Sequence, residues 1–458
     1  MIKNRFSLGF LALFIVVIFS CKSKQAAVQE ISPPPPPNSD MTEKLETTDA
    51  LVNTLLLGLT NLEGVTAERI ESQNEFYNYM FELQIEQPVD HFDVSKGTFK
   101  QKVYLSHLDF NKPMVMYLNG YTAGSNSYVT EAAQILESNQ IHVEHRFFSN
   151  SRPETIPWDL LTIEQSAYDH HRIVELLKTF YTKPWVSTGI SKGGMVTIFH
   201  KRFFPNDVAV AMPYVAPLNT ERHDPRVYEH LNNVGTEECR NAVTEYQREL
   251  LIYRDEALDI FEKYSDKAGY VYPHGLEASF ELSVLEFSFA FWQWSGDCST
   301  IPSQESSVED KMKYLFYTID APSFFNESTL TDILPFFYQG YYEIGMYGYE
   351  VDKFKGLTQI YTEEVDNYRT FIPKDMDVIY NPEPVRDVIN WLDENGNNMI
   401  FIYGELDPWG ATAYEPTENT NSLFLNLDNG NHGTRLKNFP KDTRAAAMDS
   451  LQIWISRR

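Results

Sequence analysis

The residues that could carry chemistry begin at STGISKGG, 187–194, where GISKG spaces Gly189 and Gly193 two positions either side of Ser191. A serine at a sharp strand-to-helix turn needs small neighbours, because its backbone is strained and its hydroxyl must stand clear. Apolar, strand-like PWV precedes the motif and MVTIF of helical character follows it. That context favours a nucleophile over a chance glycine-rich turn. The helix beginning after Ser191 directs its amides at a developing oxyanion, with the Lys192 amide as first donor. Adjacent side chains diverge, so the Lys192 amine is not expected to act on Ser191. It is expected to face solvent or an overlying cap.

A serine nucleophile needs a base and an orienting acid, which in this architecture follow it in the order serine, acid, histidine. Five of eleven histidines follow Ser191: His200, His223, His230, His274 and His432. Only His432 lies near the C-terminus, in the loop DNGNHGTRL after the strand-like SLFLNL. The preceding apolar run MIFIYG opens into ELDPWG, which offers Glu405 and Asp407. Asp407 is preferred, since Pro408 and Trp409 would rigidify and shield it. The second oxyanion donor should come from YLNGYTAG, 117–124, as the amide of Tyr121 or of Gly120.

These residues need a scaffold. The chain has 458 residues, 43% hydrophobic and 14% aromatic, enough for a large core. Strand-like runs near 77–110, 113–121, 140–148, 184–191 and 208–217 alternate with helical runs at 127–139, 163–181 and 192–205. That alternation predicts an α/β fold with a mostly parallel central sheet. From 220 to 390 helix formers and large aromatics replace the alternation, which resumes with NMIFIYG, SLFLNL and a final helix at 443–456. The α/β domain is therefore expected to occupy 46–219 and 391–458, interrupted by a helical cap at 220–390.

The N-terminus reads as a leader. Lys3 and Arg5 precede an apolar run, 6–20, that is short for a membrane span and ends at Cys21. This is the pattern of a bacterial lipoprotein signal, 1–20, with Cys21 lipidated. Residues 21–45 then form a tether stiffened by five consecutive prolines, 33–37. The expected location is exported and lipid-anchored, periplasmic or on the cell surface. The other cysteines, Cys239 and Cys298, leave a disulfide open. A net charge of −26 argues against nucleic acid and anionic lipid as partners and favours cationic ligands. DHH, 169–171, lacks a third ligand at metal spacing, so a helix-surface pair is expected and no metal or other cofactor.

QPVDHF (87–92), VEHRFFSNSRP (143–153), LTIEQSAYDHHRIV (161–174), STGISKGGM, YVAPLN (214–219), AFWQW (290–294) and GELDPWGA occur in this order. As an ordered set they resemble the secreted bacterial tripeptidyl-aminopeptidase family of serine peptidases. A more distant similarity is to the prolyl carboxypeptidase and dipeptidyl peptidase II family, which carries a segment like YQGYYEIG, 338–345. The resemblance spans roughly 77–456. It implies an α/β-hydrolase fold, a helical cap and a triad of Ser191, Asp407 and His432. It also implies a serine exopeptidase that releases short peptides, tripeptides above all and some proline-directed, from free N-termini. His145 in EHR precedes the elbow and is expected to be structural. An exopeptidase of this kind needs a carboxylate for the substrate ammonium, and Glu343 is the first candidate, against a buried glutamate paired with a cap arginine. Trp292, Trp294 and Tyr338 are candidates for a proline-accepting pocket. The rival readings are an α/β-hydrolase esterase or lipase, and a non-catalytic surface lipoprotein that captures nutrients.

Overall fold

The computed structural model describes residues 39–457 except Ser125, Asp320, Ala321, Glu364, Asp366 and Asn367. The leader, Cys21 and the proline run lie outside the described residues. The chain divides into a segment ending at Leu59 and a body from Thr60 onward. Most of the apolar run LVNTLLLGLTNL, 51–62, lies in helix α1, Ser39–Thr60. Among the described residues no helix is long and apolar enough to cross a membrane.

The body is built on nine strands: β1 (Val65–Ile70), β2 (Tyr79–Pro88), β3 (Thr98–His107), β4 (Met114–Leu118), β5 (Asn139–Val143), β6 (Trp185–Ile190), β7 (Val210–Tyr214), β8 (Ile400–Gly404) and β9 (Leu423–Leu427). Their order across the sheet is β1-β2-β3-β5-β4-β6-β7-β8-β9. The pairs β1/β2, β2/β3 and β3/β5 are antiparallel and every later pair is parallel. The central strands β4, β5, β7 and β8 are buried along their whole length. This is why β4, β7 and β8 read as apolar runs rather than alternation, whereas β5 buries the polar Asn139, Gln140 and His142 among its five residues. β2 alternates buried and partly exposed positions, and β9 at the far edge is only partly covered.

Helices α2 (Glu131–Leu136), α3 (Ile163–Leu177) and α4 (Lys192–Phe203) follow strands of the first half, and α12 (Glu383–Asn395) and α13 (Lys441–Ser456) belong to the second. One face of the sheet joins Val210, Met212, Ile400 and Ile402 to Ala132, Leu136, Leu451 and Trp454, from α2 and α13. The other joins Ala211, Met399, Phe401 and Tyr403 to Ile163, Ile198, Val388 and Leu392, from α3, α4 and α12. Successive residues of β7 and β8 thus go to opposite cores, as the two-residue strand period requires.

Between β7 and β8 lie α5 (Pro225–Asn233), α6 (Glu237–Ile252), α7 (Arg254–Ala268), α8 (Leu276–Trp294), α9 (Val308–Ile319), α10 (Glu327–Gln339) and the short α11 (Tyr368–Phe371). They share a core of their own around Phe261, Phe280, Phe287, Phe291 and Trp292, which continues onto Leu406 and Trp409 of the loop after β8. Cys239 at the start of α6 and Cys298 beyond α8 are joined as a disulfide, with Cα atoms 5.6 Å apart.

Two expectations shorten. The run 140–148 is a strand only to Val143, because EHRFF leaves the sheet and Phe147 takes a φ of 70°. The helix at 127–139 is confined to Glu131–Leu136, opened by the Thr130 side chain accepting from the Ala133 amide. β1 had no clear alternation to announce it.

The disulfide closes a loop with a sequence separation of 59. Replacing both cysteines with serine is predicted to lower stability by about 2–4 kcal/mol, read as a fall in the denaturant midpoint. An unchanged midpoint would mean that the bond contributes nothing.

Candidate active site

Ser191 sits between β6 and α4 with φ 58° and ψ −126°, a conformation that a non-glycine residue adopts only under strong local constraint. The constraint is visible in its neighbours. The Ser191 amide donates to the Tyr214 carbonyl at 2.9 Å, and its carbonyl accepts from the Met195 amide at 3.0 Å. A Cβ on Gly189 would lie 2.0 Å from the Gly193 carbonyl oxygen, and one on Gly193 would lie 2.5 Å from that of Leu118. The glycines of GISKG are therefore demanded by contact between the turn and the end of β4.

Asp407 and His432 leave the carboxyl ends of β8 and β9, and Ser191 leaves that of β6, all on one edge of the parallel sheet. The Asp407 carboxylate is fully buried and its Oδ2 is 2.6 Å from His432 Nδ1. Its other oxygen accepts from the Trp409 amide at 3.2 Å, so the turn through Pro408 fixes the acid as well as shielding it. Glu405 instead accepts from the Asn429 amide at 2.8 Å and steadies the histidine loop from outside. Of the other histidines after Ser191, His200 pairs with Asp207, and His230 and His274 with backbone carbonyls.

The cap reaches this loop. The His432 amide donates to the Gln293 carbonyl at 2.9 Å and the Asn431 side chain to that of Trp294 at 2.9 Å. The Trp294 ring stands edge-on to the His432 ring, centroids 5.1 Å apart. Trp294 thus lies at the imidazole and is 39% exposed, while Trp292 is buried in the cap core. Tyr338 is buried too, its ring 5.1 Å from Trp158 and 5.6 Å from Tyr342. These three aromatics do not form one cluster.

Of the two settings expected for Lys192, solvent or an overlying cap, the first does not hold. Its side chain is 2% exposed, and its ammonium donates to the Gly120 carbonyl at 2.7 Å. The ammonium also lies 4.9 Å from the centre of the Phe148 ring. Burial pulls the amine well below its ordinary pKa, and the Glu343 charge works against that pull. The sequence holds no sign of this, because a lysine after a nucleophile is ordinarily assigned to the surface.

EHR is the support of the same loop. Glu144 accepts from the Ala123 amide at 2.9 Å, from Ser151 Oγ at 2.7 Å and from Lys102 at 3.0 Å. The His145 amide donates to the Tyr121 carbonyl at 3.1 Å. The His145 ring, as expected, is structural, with Nδ1 at the Arg146 carbonyl and Nε2 at Ser166 Oγ. Arg146 is fully buried and grips Asp169 at 2.7 and 2.9 Å. Burial opposes ionisation of Asp169, yet Arg146 and His91 hold its pKa below the ordinary value. DHH is accordingly no surface pair: Asp169 and His170 are buried, and His171 bonds Asp207 at 2.8 Å.

Glu343 lies in a single π-turn, Gly340–Ile344, after α10. It is 2% exposed, accepts from the Ile163 amide at 2.5 Å and from Gln339 at 3.2 Å. The partners are thus the first amide of α3 and a glutamine, not a cap arginine. Burial pushes its carboxyl up to about 8.

The sequence of residues 59–457 matches the family model of the PS-10 peptidase S37. This chain belongs to that family. It is a serine peptidase of α/β-hydrolase fold. It is 31% identical over 392 residues to the prolyl tri/tetrapeptidyl aminopeptidase of Streptomyces mobaraensis, a match covering 84% of this chain and 81% of that protein. Over 156 residues it is 24% identical to the lysosomal Pro-X carboxypeptidase of Mus musculus, covering 30% of this chain and 32% of the other. Among solved structures, the proline iminopeptidase of Mycobacterium smegmatis aligns with a TM-score of 0.40 at 12% identity, over 82% of this chain and 99% of that one.

A second buried carboxyl, Glu286, accepts from the hydroxyls of Tyr347 and Tyr349, and burial pushes it up to about 7. Both glutamates bind a proton more tightly folded than unfolded. The stability this confers is full below the unfolded value of about 4.5 and is lost as pH rises through about 7 to 8. The contribution of these two glutamates is therefore predicted to fall between pH 5 and pH 8, read as a change with pH in the melting-temperature difference between the parent and the Glu286→Gln, Glu343→Gln double variant. An equal slope in the double variant would contradict the assignment.

Proposed function

We propose that this peptidase removes short peptides, tripeptides in the first instance, from the free N-termini of its substrates, with a preference set by proline. The observation that carries the reading is the buried Asp407–His432 bond of 2.6 Å at the edge of the sheet where the strained Ser191 turn opens. In this reading Ser191 Oγ attacks the scissile carbonyl and His432 takes its proton. Asp407 orients the imidazole and stabilises its protonated form. The developing oxyanion is held at the start of α4, where the Lys192 amide is the first donor. Collapse of the intermediate expels the amine, to which His432 returns the proton, and water then hydrolyses the acyl-enzyme. The tri/tetrapeptidyl aminopeptidase activity for which the Streptomyces relative is named supports the choice of substrate.

The net charge of −26 suits substrates that carry a free α-ammonium group. Glu343 remains a candidate for that group only if the cap opens its carboxylate, since its oxygen is taken by the Ile163 amide in this conformation. Trp294, exposed beside His432, is the better placed of the aromatic candidates for a substrate side chain. The lipoprotein pattern at Cys21 and the proline tether support export and a lipid anchor, with the domain held off a bacterial membrane.

Hydrolysis of a tripeptidyl p-nitroanilide is the measurement. Ser191→Ala is predicted to lower kcat on the order of 10³-fold or more. N-acetylation of the same substrate is predicted to abolish turnover. Full activity on the acetylated substrate, or faster cleavage of short acyl esters than of peptides, would replace the exopeptidase reading with an endopeptidase or an esterase.

A further inference from the structure

The sequence offers the amide of Tyr121, or that of Gly120, as second oxyanion donor. In the structure the Tyr121 amide is already directed at the Asn119 side-chain oxygen, 3.3 Å away. The same asparagine donates to the Thr122 carbonyl at 2.8 Å, which closes the turn on itself. The Tyr121 side chain goes the other way, and its hydroxyl lies near enough to the Ser191 side chain to be influenced by it. The ring is confined by Phe148 and Phe336, centroids 5.9 and 5.5 Å off. Below it the Lys192 ammonium, on the residue next to the nucleophile, holds the Gly120 carbonyl and lies 5.8 Å from the ring centre. Gly120 has no room to shift toward α4, since a Cβ there would lie 2.7 Å from the Gly193 amide nitrogen.

We propose that the Tyr121 hydroxyl, not its amide, is the second donor to the oxyanion, and that Lys192 is the residue that positions it. The inference rests on Ser191 being the nucleophile. As Ser191 Oγ bonds to the carbonyl carbon, the carbonyl electron pair moves onto oxygen and the serine proton goes to His432. The Tyr121 hydroxyl donates a hydrogen bond to the new oxyanion and keeps its own proton. Burial pushes that phenol up to about 12, so it stays a donor at any working pH. Lys192 acts one step removed. Its side-chain nitrogen replaces water as the partner of a buried carbonyl and fixes the Gly120–Tyr121 backbone over the start of α4.

Steady-state kinetics on the peptide substrate test both parts. Tyr121→Phe keeps the ring contacts and is predicted to lower kcat and kcat/KM equally, by about 10²-fold, with KM unchanged. Lys192→Met is predicted to lower kcat about 10-fold, yet to add little in the Tyr121→Phe background, because it acts through the same donor. If Tyr121→Phe turns over within threefold of the parent while Ser191→Ala is inactive, the hydroxyl is not the donor and the nucleophile stands. If Ser191→Ala is itself active, the underlying reading fails. A structural role for Lys192 would instead give full additivity in the double variant. Should Tyr121→Phe fail to fold, a difluorotyrosine at 121 keeps ring and hydroxyl but ionises more readily. Activity must then fall at alkaline pH where the parent's does not, and an unchanged profile overturns the proposal.

Discussion

The close approach of three backbone segments at the nucleophile turn is the constraint on which the site depends. Gly189 at the end of β6, Gly193 in the first turn of α4 and Leu118 at the end of β4 meet with no space for a single methyl group. Within this packing Ser191 is held at a positive φ of 58°. The same packing seats the start of α4 directly beneath the loop from 119 to 123. The Ser191 turn and the loop from 119 to 123 are thereby held together, which is the preorganisation that the proposed mechanism requires.

Two further layers hold that assembly. From below, the buried EHR segment binds the loop through Glu144 to the Ala123 amide and through the His145 amide to the Tyr121 carbonyl. Arg146 in turn ties this segment to Asp169 of α3 and to the backbone of 88–89. From above, the cap also touches the machinery. The end of α8 grips the His432 loop, and the π-turn after α10 places Glu343 on the first amide of α3. A helix terminus and a buried carboxylate suit each other, since the amide dipoles favour negative charge there. Burial nevertheless dominates and keeps a proton on Glu343 into the neutral range.

Much of the site was legible in the sequence because covalent order and backbone sterics constrain it. The serine-acid-histidine order singled out His432, and the spacing of Gly189 and Gly193 identified the turn. Glu405 and Asp407 were separated only by the stiffness of Asp-Pro-Trp, and the structure gives the two carboxylates different partners for that reason. What was hidden depends on contacts far apart in the chain. Nothing local to Lys192 foretells a buried ammonium, because its partner is the carbonyl of Gly120. Nothing local to DHH shows that Arg146 claims the aspartate. The early end of β5 is equally non-local, as Glu144 leaves the sheet to serve Ala123 and Ser151. The aromatic residues of the cap were the least readable, since Trp292 and Trp294 are two residues apart at the end of α8 and face different surroundings.

A serine made nucleophilic by the histidine that Asp407 orients is the centre of the proposed reaction. The direct measurement is labelling of the folded protein with a fluorophosphonate, followed by peptide mass mapping. The predicted result is one adduct per chain, on Ser191, with labelling lost on the time scale of the experiment in His432→Ala. Absence of labelling in a folded sample, a stoichiometric adduct on another residue, or undiminished labelling in His432→Ala would contradict it.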